Sequence, residues 1–349
     1  MLTKKPAQPI EEDVEQIFKH LQKNSLSFAD KRVLITGGAG FLGSWMCDVL
    51  IKQETKVTCL DNLASGLKSN VAHLMKNKNF KFINHDISQP ISLEVDFDLV
   101  VHMASRASPF ELEKFPIEIL RANTIGTCNA LEIARKNKAK FLFTSTSEVY
   151  GDPTIVPTPE SYNGNVDPTG PRGSYEESKR AGEAFVVAYE EQHGIDARIA
   201  RIFNTYGPRM RADGIYGRVV SRFIKQALSN EPITVFGDGT QTRSFIHVAD
   251  QIEGLLKLAS VEEAKGEVVN IAKDEEMRII DFAMLVKKLT NSKSEISFGP
   301  LPPGDPKRRC PDISKAKKIL NWSPRTSLEE GLKKTIQWFK KKGQSTASH

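Results

Sequence analysis

From Lys31 onward, short and almost wholly apolar runs alternate with longer stretches of helical period. The runs VLIT (33–36), KVTCLD (56–61), KFINHD (81–86), DLVVHMA (98–104), KFLFTST (140–146) and DARIARIF (196–203) predict strands. Between them GFLGSWMCDVLIKQ (40–53), Pro116–Lys136 and Tyr175–Gln192 have the spacing of helices. Strands that are apolar on both faces and alternate with helices form a parallel sheet covered on both sides. The expected fold is therefore α/β, a doubly wound parallel sheet of Rossmann type. After Asn204 the rhythm breaks into short elements and loops rich in Gly, Pro and Arg, such as FGDGTQTRSF and GPLPPGDPKRRCPD. They predict a smaller C-terminal substrate-binding lobe. The expected division is a helical N-terminal extension at 1–30, with an amphipathic helix over Glu11–Gln22, and a dinucleotide-binding domain at 31–203. The ligand-binding lobe follows at 204–342 and a flexible tail at 343–349.

Composition changes this picture little. Hydrophobic residues are 39% and charged residues 26% of the chain, ordinary for a globular protein. No apolar stretch reaches the about 18 residues of a membrane helix, and acidic residues stand where an export signal would have its apolar core. Cys47, Cys59, Cys128 and Cys310 are scattered, which predicts reduced thiols, a cytoplasmic location and no metal site. The net charge of +6 could suggest nucleic acid. Its placement argues otherwise: Lys307–Lys342 holds 12 Lys/Arg and 3 Asp/Glu, leaving −3 for the rest of the chain. That excess lies mostly on predicted helices, without the interleaved aromatics of a nucleic-acid surface.

The candidate chemistry begins at the first strand. Thr36 leads into GGAGFLG (37–43), a GxxGxxG variant of the dinucleotide fingerprint, and a predicted helix follows. Gly37, Gly40 and Gly43 let the backbone approach a pyrophosphate, with Phe41 and Leu42 at the helix start. Asp61 ends the second strand 18 residues after Gly43, where a carboxylate binds the adenosine ribose. Asn62 and Leu63 follow with no arginine for a 2′-phosphate, so NAD is expected over NADP. Asp86, followed by Ile87 at the third strand end, could hold the adenine edge, with a helix cap as the alternative, and Ala104 at the fourth would line the rest of the cofactor path.

Tyr175 and Lys179 lie four apart on one helical face. A lysine there holds the nicotinamide ribose and lowers the tyrosine pKa, which makes Tyr175 a general base. The strand over 140–146 runs into Thr146, Ser147 and Glu148, two hydroxyls and a carboxylate near the same point.

At these residues the chain resembles the extended short-chain dehydrogenase/reductase superfamily, from Lys31 to about Phe339. Within it the segments TSTSEVYGDP, GPRGSYEESKR, RIFNTYGPRM, GRVVSRFI, FGDGTQTRSF and DPKRRCPDISKAKKILNWSP resemble the UDP-glucuronate decarboxylases. Dehydratases of the superfamily carry Asp-Glu where this chain has Ser147-Glu148. The resemblance implies NAD-dependent conversion of UDP-glucuronate to UDP-xylose through a 4-keto intermediate; the alternative is a UDP-sugar 4-epimerase. It implies Tyr175 as base, Thr146 as its hydroxyl partner, Glu148 near C5 and Arg309 facing the sugar carboxylate. Ser105, Arg106, Arg172, Asn204, Arg218, Val219, Phe236 and Arg243 would surround the nucleotide sugar. It further implies a homodimer joined as a four-helix bundle, through residues such as Ile119, Ile125, Ala181, Phe185 and Ala188. Three positions depart from the decarboxylase pattern: Ser178 before the lysine, Asn163 for a tryptophan, and Arg106 after the fourth strand.

Overall fold

The computed structural model describes residues 9–93, 95–212, 218–302 and 304–346, the last four by backbone alone. Seven parallel strands form the central sheet: β1 (Arg32–Thr36), β2 (Lys56–Asp61), β3 (Phe80–Asn84), β4 (Leu99–His102), β5 (Lys140–Thr146), β6 (Ala197–Ile202) and β10 (Val268–Ile271). Their order is β10-β6-β5-β4-β1-β2-β3. The apolar runs are strands because both faces are covered: Val33, Leu34, Ile35, Val100, Val101, Phe141, Leu142 and Phe143 are all buried. The sheet reverses direction of growth between β1 and β4, and the cleft of a doubly wound sheet opens at the carboxyl ends there.

The helices differ from expectation in instructive places. α1 (Pro9–Lys23) buries Val14, Ile17 and Leu21 against α2 (Phe41–Lys52) and α8 (Val248–Ser260). After the short α3 (Pro109–Lys114), the helix expected over Pro116–Lys136 is broken into α4 (Pro116–Asn123) and α5 (Ile125–Asn137). At the break the Thr124 hydroxyl donates to Leu120 O at 2.6 Å, a local bond that bends helices. Gly126 then packs so close to Ile87 that a Cβ would lie 2.9 Å from its methyl. Ile119, expected on a dimer face, points inward and is buried. α6 (Gly173–His193) carries Tyr175 and Lys179.

The second lobe contains β7 (Asn204–Tyr206), β8 (Ile233–Phe236), β9 (Thr242–His247), β11 (Glu276–Arg278) and β12 (Ile296–Gly299). Its helices are α7 (Val219–Leu228), α9 (Ile279–Thr290), α10 (Ser314–Leu320) and α11 (Leu328–Thr346). The division at residue 203 is not a clean cut, because α8 returns the chain to β10 at the sheet edge, paired with β6. α11 also runs to Thr346, into the expected tail; residues 347–349 and 1–8 lie outside the described residues.

The basic C-terminal segment is neutralised from elsewhere in the chain. Lys315 pairs with Glu267 at 2.5 Å, Lys317 with Asp274 at 2.8 Å and Lys334 with Asp13 at 2.6 Å, while Arg325 pairs with Glu253. Much of the local excess is thus taken up by intramolecular contacts. No helix among the described residues is long and apolar enough to cross a membrane.

Candidate active site

One cleft of about 830 Å³ runs along the carboxyl ends of the strands. Every catalytic, cofactor and substrate candidate named from the sequence lines it, from Gly37 at one end to Arg309 at the other.

The glycine end is made by close backbone approach. Gly37 has a φ of 73°, and a Cβ there would sit 2.8 Å from the backbone of Ala104. A Cβ on Gly43 would sit 2.2 Å from Gly37 O. No side chain caps the start of α2 at Gly40, which leaves its first N–H groups for a ligand anion. Asp61 is buried at the end of β2, where its two oxygens accept from Ala39 N (3.0 Å) and Leu63 N (2.8 Å). Burial raises its carboxyl despite these bonds. Asn62 donates to Asp86 at 3.0 Å, while Asp86 also closes the turn at Ser88 (2.9 Å). Asp86 therefore serves a turn rather than a helix cap. This cradle, its uncapped helix start and its acid fit a dinucleotide.

The middle of the cleft is the face of α6. Tyr175 and Lys179 are both buried against the sheet. Lys179 Nζ donates to Thr144 O at 2.8 Å and lies 4.9 Å from the Phe143 ring centroid. Burial lowers its ammonium to about 7. Burial likewise raises the Tyr175 phenol, opposed by a hydrogen bond with Thr146. The expected lowering of Tyr175 by a charged lysine is thus not present in the protein alone, because the same burial works against both charged forms. Ser178 joins α4 to α6: its hydroxyl accepts from Asn123 at 2.9 Å and donates to Tyr175 O at 3.0 Å.

The far end is charged. Glu148, in a short turn after β5, is held between Arg172 and Arg309. Burial alone would raise its carboxyl, but the charges of Arg309 and Arg172 outweigh it and hold it at about 2. Arg172 also bonds Glu176 at 3.0 Å. Arg309 arrives by strand-like pairing with β9: Thr242 N donates to Lys307 O at 3.0 Å and Ser244 N to Arg309 O at 3.2 Å. Alternation turns Arg309 inward and Arg308 outward to Glu276 at 2.6 Å. Arg243 steadies this loop through Asp305 (2.7 Å) and Pro306 O (2.9 Å). Arg106 lies 4.3 Å from the Phe115 ring centroid and 3.9 Å from Glu111.

Asn204, Arg218, Val219 and Phe236 line the remaining wall. Sequence reasoning missed Arg209, Arg211, Arg222 and Asp305, which line it too. A concentration of arginines in Gly-rich loops was the available signal, but it named no individual residue.

The family model described as "NAD dependent epimerase/dehydratase family" matches residues 33–272. A UDP-glucuronic acid decarboxylase 1 of Danio rerio is 45% identical over 98% of this chain and 84% of that protein. The chain belongs to that epimerase/dehydratase family, among its UDP-glucuronic acid decarboxylases. The protein of the same description from Xenopus tropicalis is 48% identical over 91% of this chain and 74% of its own length. Among solved structures, a UDP-glucuronic acid 4-epimerase of Bacillus cereus, in complex with UDP-glucuronic acid and NAD, is 32% identical with a TM-score of 0.78. It covers 89% of this chain and 99% of its own. The family match ends one residue beyond β10, so the sheet-completing strand belongs to the matched unit and the Arg309 loop lies after it.

Proposed function

We propose that the protein decarboxylates UDP-glucuronate to UDP-xylose through a UDP-4-keto intermediate, with NAD regenerated in each turnover. The observation that carries this is Arg309, buried against Glu148 and brought from 161 positions away to the cleft that holds Tyr175. A 4-epimerase would share the glycine loop, Tyr175 and Lys179, and one acting on UDP-glucuronate could use the same arginine; it is not favoured because the relatives at 45–48% identity are decarboxylases.

NAD bound at the glycine end supplies hydride exchange with C4 of the sugar. The residues Gly37, Gly40, Phe41, Leu42, Gly43, Asp61, Asn62, Asp86, Ile87 and Ala104 would hold it. Tyr175 takes the C4 hydroxyl proton as its phenolate, with Thr146 as its hydrogen-bond partner, and the positive charge of bound NAD would favour that phenolate against the burial that raises the phenol. Lys179 would hold the nicotinamide ribose beside it. Oxidation at C4 turns the C5 carboxylate into a β-keto acid, and the bond to CO₂ breaks with its electrons delocalised into the ketone. Arg309 orients that carboxylate. Glu148 stays ionised at working pH, so its part is to position a water that protonates C5, beside Ser147. A fixed anion there also disfavours a second carboxylate and does not oppose neutral CO₂. Ser105, Arg106, Arg172, Asn204, Arg218, Val219, Phe236 and Arg243 surround the UDP-sugar.

A homodimer through α4 and α6, as a four-helix bundle with a second copy, is supported by the exposed Ile117, Leu120, Phe185 and Val187, with Ile125 beside them on α5. Light scattering giving a monomer mass at micromolar concentration would remove it. Four free cysteines suit a reducing cytoplasm.

The deciding experiment is incubation with UDP-glucuronate, chromatographic separation of the sugar nucleotides and measurement of the mass of each. A product lighter by CO₂ supports the proposal. An isobaric product makes the protein an epimerase, and no product defeats both readings.

A further inference from the structure

The loop that follows β7 is fastened to the helix that opens the cofactor end. Pro208 O accepts from the Trp45 indole of α2 at 3.0 Å. One residue on, Arg209 Nη2 donates to Asp48 of α2 at 2.7 Å, with its guanidinium 6.0 Å from the Trp45 ring centroid. The other Asp48 oxygen bonds the His73 ring at 2.7 Å. Arg211 then donates to Ser65 O at 3.1 Å, in the loop after Asp61. Residues 207–211 therefore form a strap tied on both banks of the cofactor end, at α2 and beyond β2.

The Arg209 side chain is 9% exposed and that of Asp48 is 8% exposed. Its φ of 73° is a conformation that non-glycine residues keep only where the surroundings over-determine it. Among the described residues its buried Nη1 finds no hydrogen-bond partner, although such donors are nearly always satisfied. The residue lines the same cleft as Gly40, Phe41 and Gly43. Nη1 is closed off from the open cleft, so the residue acts through the strap that it fastens to α2.

We infer that Asp48 and Arg209 form a latch that keeps the dinucleotide in the cleft through a whole turnover. The pair holds the 207–211 strap at the cofactor end, and Asp48 and His73 are positioning residues that keep the Arg209 guanidinium, and with it the strap, in place. The inference rests on the proposed function, in which a hydride is borrowed and returned. A cofactor that left between the two transfers would strand the 4-keto nucleotide.

The test is the rate of NADH release from the holoprotein, followed by the loss of bound-NADH fluorescence when excess NAD is mixed in. It needs no sugar nucleotide. Asp48→Asn and Arg209→Gln should each speed release by at least about tenfold, since each breaks a buried charge pair and unties the strap from α2. Arg209→Lys, which keeps the charge, should recover part of the retention, and His73→Gln should give a smaller acceleration. In turnover of UDP-glucuronate, Asp48→Asn should free NADH and 4-keto nucleotide together. Folded Asp48→Asn and His73→Gln proteins that release NADH at the wild-type rate would overturn the latch. Should Arg209→Gln fail to fold, those two variants still decide. A wild-type protein that leaves UDP-glucuronate unchanged defeats the proposed function, and the release rates then judge the latch independently.

Discussion

At the Gly37–Gly43 end of the cleft the wall is backbone, whereas at the Glu148 end it is charge. The glycine end relies on contacts that a single Cβ would fill, and on one carboxylate, Asp61, that accepts from two amides. The other end brings Glu148, Arg172 and Arg309 together from three separated segments. A backbone cradle is encoded locally and tolerates almost any surroundings that leave room for it. A charged cluster exists only after folding, and each member sets the protonation of the others. Burial by itself would leave Glu148 harder to ionise than in water; the two arginines reverse that.

The largest effect is expected where the two ends meet. Tyr175→Phe should bind NADH normally, measured by fluorescence titration, yet lose about 10²–10⁴-fold in turnover for want of a proton acceptor. Turnover within about threefold of wild type would mean that the base lies elsewhere.

Arg309→Ala should come next, because it attacks the charged end alone. CO₂ release should fall by about 10²-fold or more, with NADH and the 4-keto nucleotide accumulating and NAD binding preserved. A pH signature accompanies it. Glu148 has its carboxyl lowered from an ordinary 4.5 to about 2. Its stabilising contribution is therefore complete above about 4.5 and lost as pH falls toward 2. Without Arg309 one counter-charge is gone, so Glu148 protonates at higher pH and acid unfolding should begin earlier. An acid-unfolding profile identical to wild type would mean that the pair does not stabilise the fold.

The same contrast explains what could be read before folding. Strands β1 to β6 were legible because buried parallel strands are continuous apolar runs, and their ends shift by only a few residues. β10 was not, because Val268–Ile271 is a four-residue run in a region of broken rhythm, and only its pairing with β6 makes it part of the sheet. The helix break at Thr124 depends on Gly126 meeting Ile87, a contact absent from any local pattern. At the site, the glycine loop and Asp61 follow from spacing, whereas Arg309 was singled out by family resemblance alone. Arg209 carried no signal, since its meaning lies in a backbone angle and in Asp48, 161 positions away. The electrostatics of Tyr175 and Lys179 went astray for a related reason: spacing shows that two groups are neighbours but not that both are buried.

Asp61→Ala sharpens the backbone end. A carboxylate that accepts from ribose hydroxyls contributes about 1.5–3 kcal/mol per charged hydrogen bond, so NAD affinity should fall by about tenfold or more. NADP should change less, because its phosphorylated ribose lacks one of the two hydroxyl donors. Titration of both cofactors checks this, and an unchanged ratio would mean that another residue reads the ribose.

The smallest effect should come from Arg308→Ala, and it isolates burial. Arg308 and Arg309 are adjacent, both guanidinium groups bind a glutamate, and both are carried by the same pairing with β9. They differ in water: the Arg308 side chain is 55% exposed and that of Arg309 is 5% exposed. An exposed pair contributes about 0–1 kcal/mol and is screened by salt. Arg308→Ala should therefore keep CO₂ release within about threefold of wild type, with any loss of melting temperature vanishing at high ionic strength. If instead it impaired CO₂ release as much as Arg309→Ala does, the decisive quantity would be the position of the whole 304–309 loop. The Arg308–Glu276 bond would then be one of its anchors, and the charged end of the cleft would extend to the surface.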